Sequence, residues 1–415
     1  MENIYGFFLI NKLYTFFLAK MGQIRSMKMR KKVMLVLLLS NMAVAKVGFN
    51  LRGEEVAYYQ TDNASSNNFF SQDSSKGSLG LQVEVTAKVD NGFELGYEGT
   101  LLGTLGLEKS IISTARQNAQ ANDLNAYATT EIFLFKKVKD TKIKLGRQKL
   151  SMELSPLAFS EDWNVFENSF DALMMTNNSM KDTTIMASYI NKSNKHNDLS
   201  DFNDLGNGVN AIEGGIYLLT VANESSKKLP ISASYYLLKD VTGLESGSAL
   251  WLDVKSTHTP LKMAFQAGYI DPKNTLSTSK MFGTKVSKAY AEIALSLAYS
   301  TVSSGDFSFQ NFGTAGDVPF YTQMVNNQDF IALDADTFVL KGSTKLPVGN
   351  LTLQYGLTKD TSSVKNDFTE LDVVYKFDLL ATKMFVGYIR QTTDKKVFVG
   401  EGESNTIRVW SRYTF

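Results

Sequence analysis

Hydrophobic and polar residues alternate with a period of two along most of the chain. In the stretch 80–89, Leu81 and Val83 lie on one face of an extended chain, and Gln82 and Glu84 lie on the other. The same alternation recurs at 93–101, 261–269 and 350–358. Each stretch is about nine to eleven residues long, which is close to the length that crosses a bilayer when a strand is tilted.

The connections between these stretches also alternate, between short turns and long polar loops. Short turns are predicted at 90–91, 138–140 and 347–349. Long loops are predicted at 60–78, 104–123, 150–167 and 192–209. A large secreted β-sandwich or β-helix would show alternating strands, but not short turns on one rim and long loops on the other. The pattern therefore predicts an all-β fold, a transmembrane antiparallel β-barrel with short periplasmic turns and long extracellular loops.

The predicted number of strands is about 18. Seventeen strands follow from the alternation, namely 47–59, 79–90, 92–103, 124–137, 140–149, 168–177, 182–191, 210–222, 229–239, 247–255, 260–270, 287–301, 335–346, 349–359, 367–377, 380–391 and 404–415. Because a single-chain bacterial barrel has an even number of strands, a short turn at 303–306 and a further strand at 307–312 are added. Sixteen strands also fit, since several of the stretches are weak individually.

The chain ends on "RVWSRYTF", which is a strand with an aromatic residue at its last position. In a closed barrel the last strand pairs with the first, which leaves no open edge in lipid. Tyr413 and Phe415 are then predicted to face outward at the periplasmic interface, where aromatic side chains gather. We expect this strand to close the barrel and to be recognised by the barrel-assembly machinery.

The first 45 residues have the form of a targeting segment. A basic stretch at 28–32 precedes an apolar core at 33–39 and a small-residue cleavage motif ending at Ala45. Residues 1–45 are therefore predicted to be an N-terminal extension with a signal peptide, in which Met27 or Met29 is the actual start, and 46–415 to be a single barrel domain. Removing them leaves 36 basic and 41 acidic residues, a net charge of −5, which argues against a nucleic-acid-binding protein.

Taken together, these features resemble those of the bacterial outer-membrane porins, and within them the Opr-type porins and the major outer membrane proteins of the campylobacterial lineage. The signal peptide, "LGRQKL" at 145–150, "NSFDALMMTN" at 168–177 and the terminal "RYTF" carry the resemblance. It implies a homotrimer of water-filled barrels in the outer membrane of a Gram-negative bacterium, in contact with lipid and lipopolysaccharide. It also implies passage of small hydrophilic solutes, a third loop (150–167) folded inward, and no catalytic residues.

The third long loop is acidic and aromatic, so it is the predicted constriction of the channel. Four carboxylates without a basic residue lie in it, and they are predicted to line the pore: Glu153, Glu161, Asp162 and Glu167. The alternative is an acidic surface loop that binds divalent cations among lipopolysaccharide. A calcium-like spacing of aspartates in the next loop, Asp198, Asp201 and Asp204, lacks the ligand order of an EF-hand, so Ca²⁺ is only a weak prediction.

Basic residues of the barrel wall point inward by strand parity. They are Arg52, Lys142, Lys144, Lys262, Lys341, Arg408 and Arg412. A charge on the lipid face costs about 2 to 4 kcal/mol at the bilayer midplane, which favours the inward orientation. Wall carboxylates with the same parity are Glu84, Glu94, Glu98, Glu131, Glu370 and Asp372. Because the mature chain and the third loop are acidic, the sequence favours passive diffusion with a weak preference for cations.

Three other functions remain open at the level of sequence. One is a substrate-specific uptake channel with a saturable site in the lumen. Another is an adhesin or purely structural barrel, and the third is an outer-membrane hydrolase that uses His196 or His258. No nucleophile motif lies near either histidine, so the sequence favours a protein that is not an enzyme.

Overall fold

A computed structural model describes most of the predicted barrel domain. The described residues are 48–64, 68–117, 126–161, 164–195, 198–203, 205, 212–240, 246–256, 261–273, 276–363, 365–394 and 402–415. The predicted targeting segment with Met27 and Met29 lies outside them. So do Asp162, Asp204, His196 and His258.

Eighteen long strands form the wall of the barrel within the described residues. In chain order they are β1 Phe49–Asp62, β2 Ser75–Val89, β3 Phe93–Gly103, β4 Ala126–Val138, β5 Thr141–Gln148, β6 Phe170–Asn177, β7 Thr183–Lys195, β8 Ile216–Asn223, β9 Ile231–Lys239, β10 Ser246–Ser256, β11 Lys262–Asp271, β12 Ser279–Tyr290, β13 Ile293–Val302, β14 Ala335–Lys345, β15 Asn350–Asp360, β16 Phe368–Leu379, β17 Thr382–Thr393 and β18 Glu403–Thr414. Every strand pairs antiparallel with its neighbours in the chain.

The barrel closes between β18 and β1, as the sequence predicts. The register runs from Glu54 opposite Thr414 to Asp62 opposite Thr406. The backbone of Phe415 extends the ladder, since its N–H donates to the carbonyl oxygen of Gly53 at 2.9 Å. The predicted all-β fold of about 18 antiparallel strands is thereby confirmed.

Two of the predicted strands are wrong, although the total is right. The predicted strand 287–301 is two strands, β12 and β13, joined by a tight turn at 291–292. The turn escaped prediction because Ala291, and not glycine or asparagine, adopts its left-handed conformation at φ 52°. The predicted strand 307–312 is a loop segment whose alternating aromatics, Phe307 and Phe309, are buried inside the barrel. One missed strand and one surplus strand therefore cancel.

The two rims of the barrel differ in the length of their connections. Both ends of the barrel domain lie on the rim with tight turns such as 139–140 and 380–381. The longest connections lie on the opposite rim. In chain order they include the second loop (104–125), the third loop (149–169), the fourth loop (196–215) and the seventh loop (303–334).

Apolar side chains cover the outer surface of the wall and polar ones face the lumen. On β14 and β15, Phe338, Leu340 and Leu353 are exposed on the outer face. Thr337 and Gln354, which are adjacent to them in sequence, are buried on the inner face. This alternation is the pattern of a barrel with lipid outside and water or loops inside. None of the described helices has the length and apolar character required to span a membrane.

A short strand of the fourth loop completes the wall above β5 and β6. These two strands have only eight residues each. The strand Asp198–Asn203 pairs with the end of β7 and lies against β4. Arg147 of β5 connects this short strand to the wall. Its guanidinium binds Asp171 of β6 at 2.8 Å and the carbonyl oxygen of Thr129 of β4 at 2.9 Å. The guanidinium also lies 3.3 Å from the ring centre of Phe202 in the short strand.

Candidate functional site

The third and seventh loops fold into the barrel and pack on each other. Leu157 and Phe159 of the third loop and Phe309 of the seventh are almost completely buried. The backbone N–H of Phe312 donates to the carbonyl oxygen of Leu157 at 2.7 Å. Together the two loops narrow the lumen, which is the part of the molecule where solutes would pass.

Aromatic and aliphatic contacts hold this pair of loops to the wall on one side. The ring of Phe320 stacks on Trp251 of β10 with centroids 6.1 Å apart. The ring of Phe312 meets Tyr236 of β9 edge-on at 5.9 Å. The Tyr236 hydroxyl accepts a hydrogen bond from the backbone N–H of Leu157 at 3.0 Å. An apolar core therefore occupies the lumen along β6 to β13 on the side of the long loops.

Glu161 connects the two loops instead of lining open water. Its side chain is buried, and Oε1 accepts hydrogen bonds from Asn311 Nδ2 at 2.9 Å and from the backbone N–H of Asp317 at 3.1 Å. The Thr314 hydroxyl also donates to it. A pore-lining role was predicted from composition, which cannot show that a partner loop far away in sequence supplies donors for this carboxylate.

The other predicted acids of the third loop have different surroundings. Glu153 is exposed, whereas Glu167 pairs with Lys149 at 3.4 Å. Lys149 follows β5 directly and also binds Glu98 at 3.1 Å and Glu131 at 3.8 Å. Burial acts to lower the pKa of Lys149, but the three carboxylates outweigh it and raise this pKa. Lys149 thereby fixes the start of the third loop to the wall, a role that the sequence prediction missed.

One side of the lumen wall carries charges of both signs that are paired. Arg52 binds Glu84 at 3.0 Å, and Lys144 binds Glu131 at 3.1 Å. A cavity of about 450 Å³ opens here, beside the chain end at Phe415. Because Glu84 and Glu131 have cationic partners, these two carboxylates add little net charge to the sector from β1 to β5.

Two arginines of β18 reach the inward loops. Arg408 Nη2 donates to Asn326 Oδ1 of the seventh loop at 2.8 Å. Arg412 Nη2 donates to the carbonyl oxygen of Asn164 of the third loop at 2.8 Å, and Nη1 binds Glu54 at 3.0 Å. The sequence predicts both as pore-lining residues, and the structure shows them holding the loops that narrow the lumen.

The opposite side of the wall carries lysines with few acidic partners. Lys255, Lys285, Lys341 and Lys376 lie on every second strand, β10, β12, β14 and β16, with inward parity. Lys255 lies 3.5 Å from Asp253. Among the described residues, no carboxylate oxygen lies within 4 Å of the amino groups of the other three. Of these four lysines the sequence predicts only Lys341 as a wall residue. Parity along the predicted strands 247–255 and 367–377 also points Lys255 and Lys376 inward, whereas Lys285 lies outside the predicted strands.

The remaining predicted wall and closure residues lie at the rim with tight turns. Lys142 and Lys262 have inward parity near that rim and are exposed. Tyr413 and Phe415 are partly exposed on the outside, and the ring of Phe415 lies over Gly53, where a side chain would collide with it. Recognition of this end by the assembly machinery stays a prediction.

Metal and catalytic sites receive no support from the described part of the chain. No group of three His, Cys, Asp or Glu side chains in it could hold a metal ion. Because Asp204 and both histidines lie outside the described residues, the calcium and hydrolase hypotheses stay at the level of sequence.

Solved structures with a similar fold are outer-membrane channels. OccK8 (OprE) of Pseudomonas aeruginosa superimposes with a TM-score of 0.70 at 14% identity, covering 88% of this chain and 98% of that chain. OpdK of the same organism, solved with vanillate, gives 0.70 at 14% over 89% and 100%. A BenF-like porin from Pseudomonas fluorescens Pf-5 gives 0.70 at 10% over 88% and 98%.

These similarities establish the fold and no more, because the sequence identities are low. No protein-family model and no curated protein sequence matches the chain. The resemblance to outer-membrane porins is therefore supported by the shared 18-strand barrel. The Opr-type and campylobacterial families in particular are not singled out.

Proposed function

We propose that this protein is an outer-membrane channel of a Gram-negative bacterium for selective uptake of small anionic solutes, carboxylates among them. The observation that carries the proposal is a set of inward lysines, Lys285, Lys341 and Lys376, whose amino groups have no carboxylate oxygen within 4 Å in the part of the chain that the structure describes. A water-filled lumen with unpaired positive charge on one wall attracts anions and repels cations.

The fold supports a channel in the outer membrane. The outward face of the wall is an apolar band, and a closed barrel satisfies every backbone group at membrane depth. Similar structures include a channel solved with vanillate, which is an aromatic carboxylate, and a BenF-like porin. A homotrimer, contact with lipopolysaccharide and insertion by the barrel-assembly machinery belong to the same proposal.

Selective uptake fits the geometry better than unselective diffusion of cations. The preference for cations rests on the acidic mature chain and on the carboxylates of the third loop, and Glu161 among these is sequestered by the seventh loop. Two loops rather than one narrow the lumen, which leaves less room for unselective passage. We therefore favour a channel with a solute-binding wall over an open pore.

Flux measurements on lysine variants test this proposal. We expect wild-type protein refolded from residues 46–415 in liposomes to take up vanillate or benzoate saturably. The Lys285→Gln/Lys341→Gln variant should take them up about thirtyfold more slowly at low concentration, because each lost cation weakens the attraction to the solute by about 1 kcal/mol in a partly screened site.

The matched control is Lys280→Gln, which changes an exposed, outward lysine on the same strand as Lys285. It should behave like the wild type. Equal vanillate uptake by the double variant and the wild type, or unsaturable uptake by both, would contradict the proposed selectivity.

A further inference from the structure

Two carboxyl groups are buried side by side on the lumen face of β16. Glu370 and Asp372 are two residues apart, so they share a face of the strand, and both are completely buried. Each carboxyl group lies within electrostatic reach of the other. Two adjacent carboxyl groups shielded from water cannot both ionise without a large electrostatic cost.

The pair holds the tip of the seventh loop through its backbone. Glu370 Oε1 accepts a hydrogen bond from the N–H of Asn326 at 2.9 Å, and Asp372 Oδ2 accepts one from the N–H of Val325 at 3.2 Å. Gln391 also donates to Glu370, at 2.7 Å, and Gln354 donates to Asp372 at 2.6 Å. These contacts fasten residues 322–327, which we call the strap, to β15, β16 and β17.

One oxygen of the pair is positioned for a proton. Asp372 Oδ1 is buried and finds no hydrogen-bond partner among the described residues. A buried oxygen without a donor is costly unless it carries a proton that it can share with a neighbouring acceptor. The adjoining Glu370 carboxyl group is such an acceptor.

Two cations act electrostatically on the pair, one from β18 and one from β14. The guanidinium of Arg408 on β18 attracts the Asp372 carboxylate electrostatically. It also donates to Asn326 Oδ1 at 2.8 Å, so Arg408 takes part in the contact between the strap and the wall. The amino group of Lys341 on β14 also attracts the Asp372 carboxylate electrostatically, but the Lys341 side chain is exposed to the lumen. With one shared proton the pair carries a single charge opposite Arg408. Loss of that proton adds a second negative charge, and in the part of the chain that the structure describes the remaining cation is Lys341, which is exposed to water.

We propose that Glu370 and Asp372 form a proton-controlled latch that holds the strap against the wall and releases it as the pH rises. The direction of the pH effect depends on which state of the strap binds the shared proton more tightly. The latched state binds the shared proton more tightly than the released state, so latching is favoured at low pH and weakened when the proton leaves. Release moves the strap away from Arg408 and widens the lumen, a consequence that rests on the proposed channel function.

Hydrogen exchange of the strap as a function of pH tests the latch directly. After correction for intrinsic exchange, we expect protection of residues 322–327 in wild-type protein to fall by about tenfold between about pH 6 and about pH 9. Glu370→Gln and Asp372→Asn keep the shape but remove one ionisable group, so each should abolish this dependence. Asp378→Asn, on the same strand and exposed, should keep it.

Single-channel conductance recorded in parallel separates the latch from the channel function. A conducting protein whose strap protection does not change with pH overturns the latch. A barrel that does not conduct, but whose strap protection against hydrogen exchange still changes with pH, overturns the channel function and retains the latch. If one of the two variants fails to form a closed barrel, the other and the wild-type pH series decide.

Discussion

At the scale of single residues, charged side chains of the lumen have contacts that differ from those expected from the sequence. Glu161 looks like a pore carboxylate, yet three donors of the seventh loop surround it. Arg412 looks like a pore cation, and its side chain binds both Glu54 and the backbone of the third loop. Parity predicts on which side of the wall a residue lies, but only the folded loops determine its partners.

Removing the Glu161 side chain tests its structural role. Glu161→Ala leaves Asn311 Nδ2 and the N–H of Asp317 without their acceptor. We expect the contact between the loops to weaken by about 2 to 4 kcal/mol, since hydrogen bonds to a charged group are each worth about 1.5 to 3 kcal/mol. Hydrogen exchange in 309–318 should accelerate accordingly.

The exposed Glu153 of the same loop provides the control, and Glu153→Ala should leave exchange in the seventh loop unchanged. Unaltered exchange in Glu161→Ala would instead mean that the apolar contacts alone hold the loops together.

At the scale of elements, the sequence predicted strands and missed what the loops do. Regular alternation located sixteen of the eighteen strands because one face of each is apolar toward the outside. It failed at 290–293, where no glycine, proline or asparagine marks the turn between β12 and β13. It also failed at 307–312, where the alternating aromatic side chains are buried in a core formed by the inward loops and not in a strand. The seventh loop was not predicted to fold inward, since its partners are distant in sequence.

The last strand is the element whose loop contacts are easiest to test. Arg408→Gln and Arg412→Gln each remove the guanidinium that holds an inward loop. A hydrogen bond from a charged donor is worth about 1.5 to 3 kcal/mol, so the held position should become at least tenfold less populated. We expect larger and noisier single-channel conductance.

Arg390→Gln is the matched control, because Arg390 points outward from β17 and binds Glu403 at 2.9 Å. If the three variants conduct alike, the β18 arginines do not position the loops.

At the scale of the whole molecule, the arrangement divides the lumen into sectors with different properties. Loops fill one side with an apolar core, and ion pairs lie on the wall from β1 to β5. Lysines that have no ion pair with any described residue lie on alternate strands from β12 to β16. Closure of the barrel was predictable from the terminal strand, because an open edge in lipid is costly. The distribution of net charge was not, because it depends on which carboxylates the loops and neighbouring strands neutralise.

The sign of the reversal potential shows whether the inward lysines make the channel selective for anions. Planar bilayers containing wild-type protein refolded from residues 46–415 would be recorded under a roughly tenfold KCl gradient, where perfect selectivity gives about 59 mV per tenfold ratio at 25 °C. The lysine-lined wall predicts a potential on the anion side, and a shift toward zero in Lys285→Gln/Lys341→Gln. A potential on the cation side that the lysine substitutions leave unchanged would contradict the account.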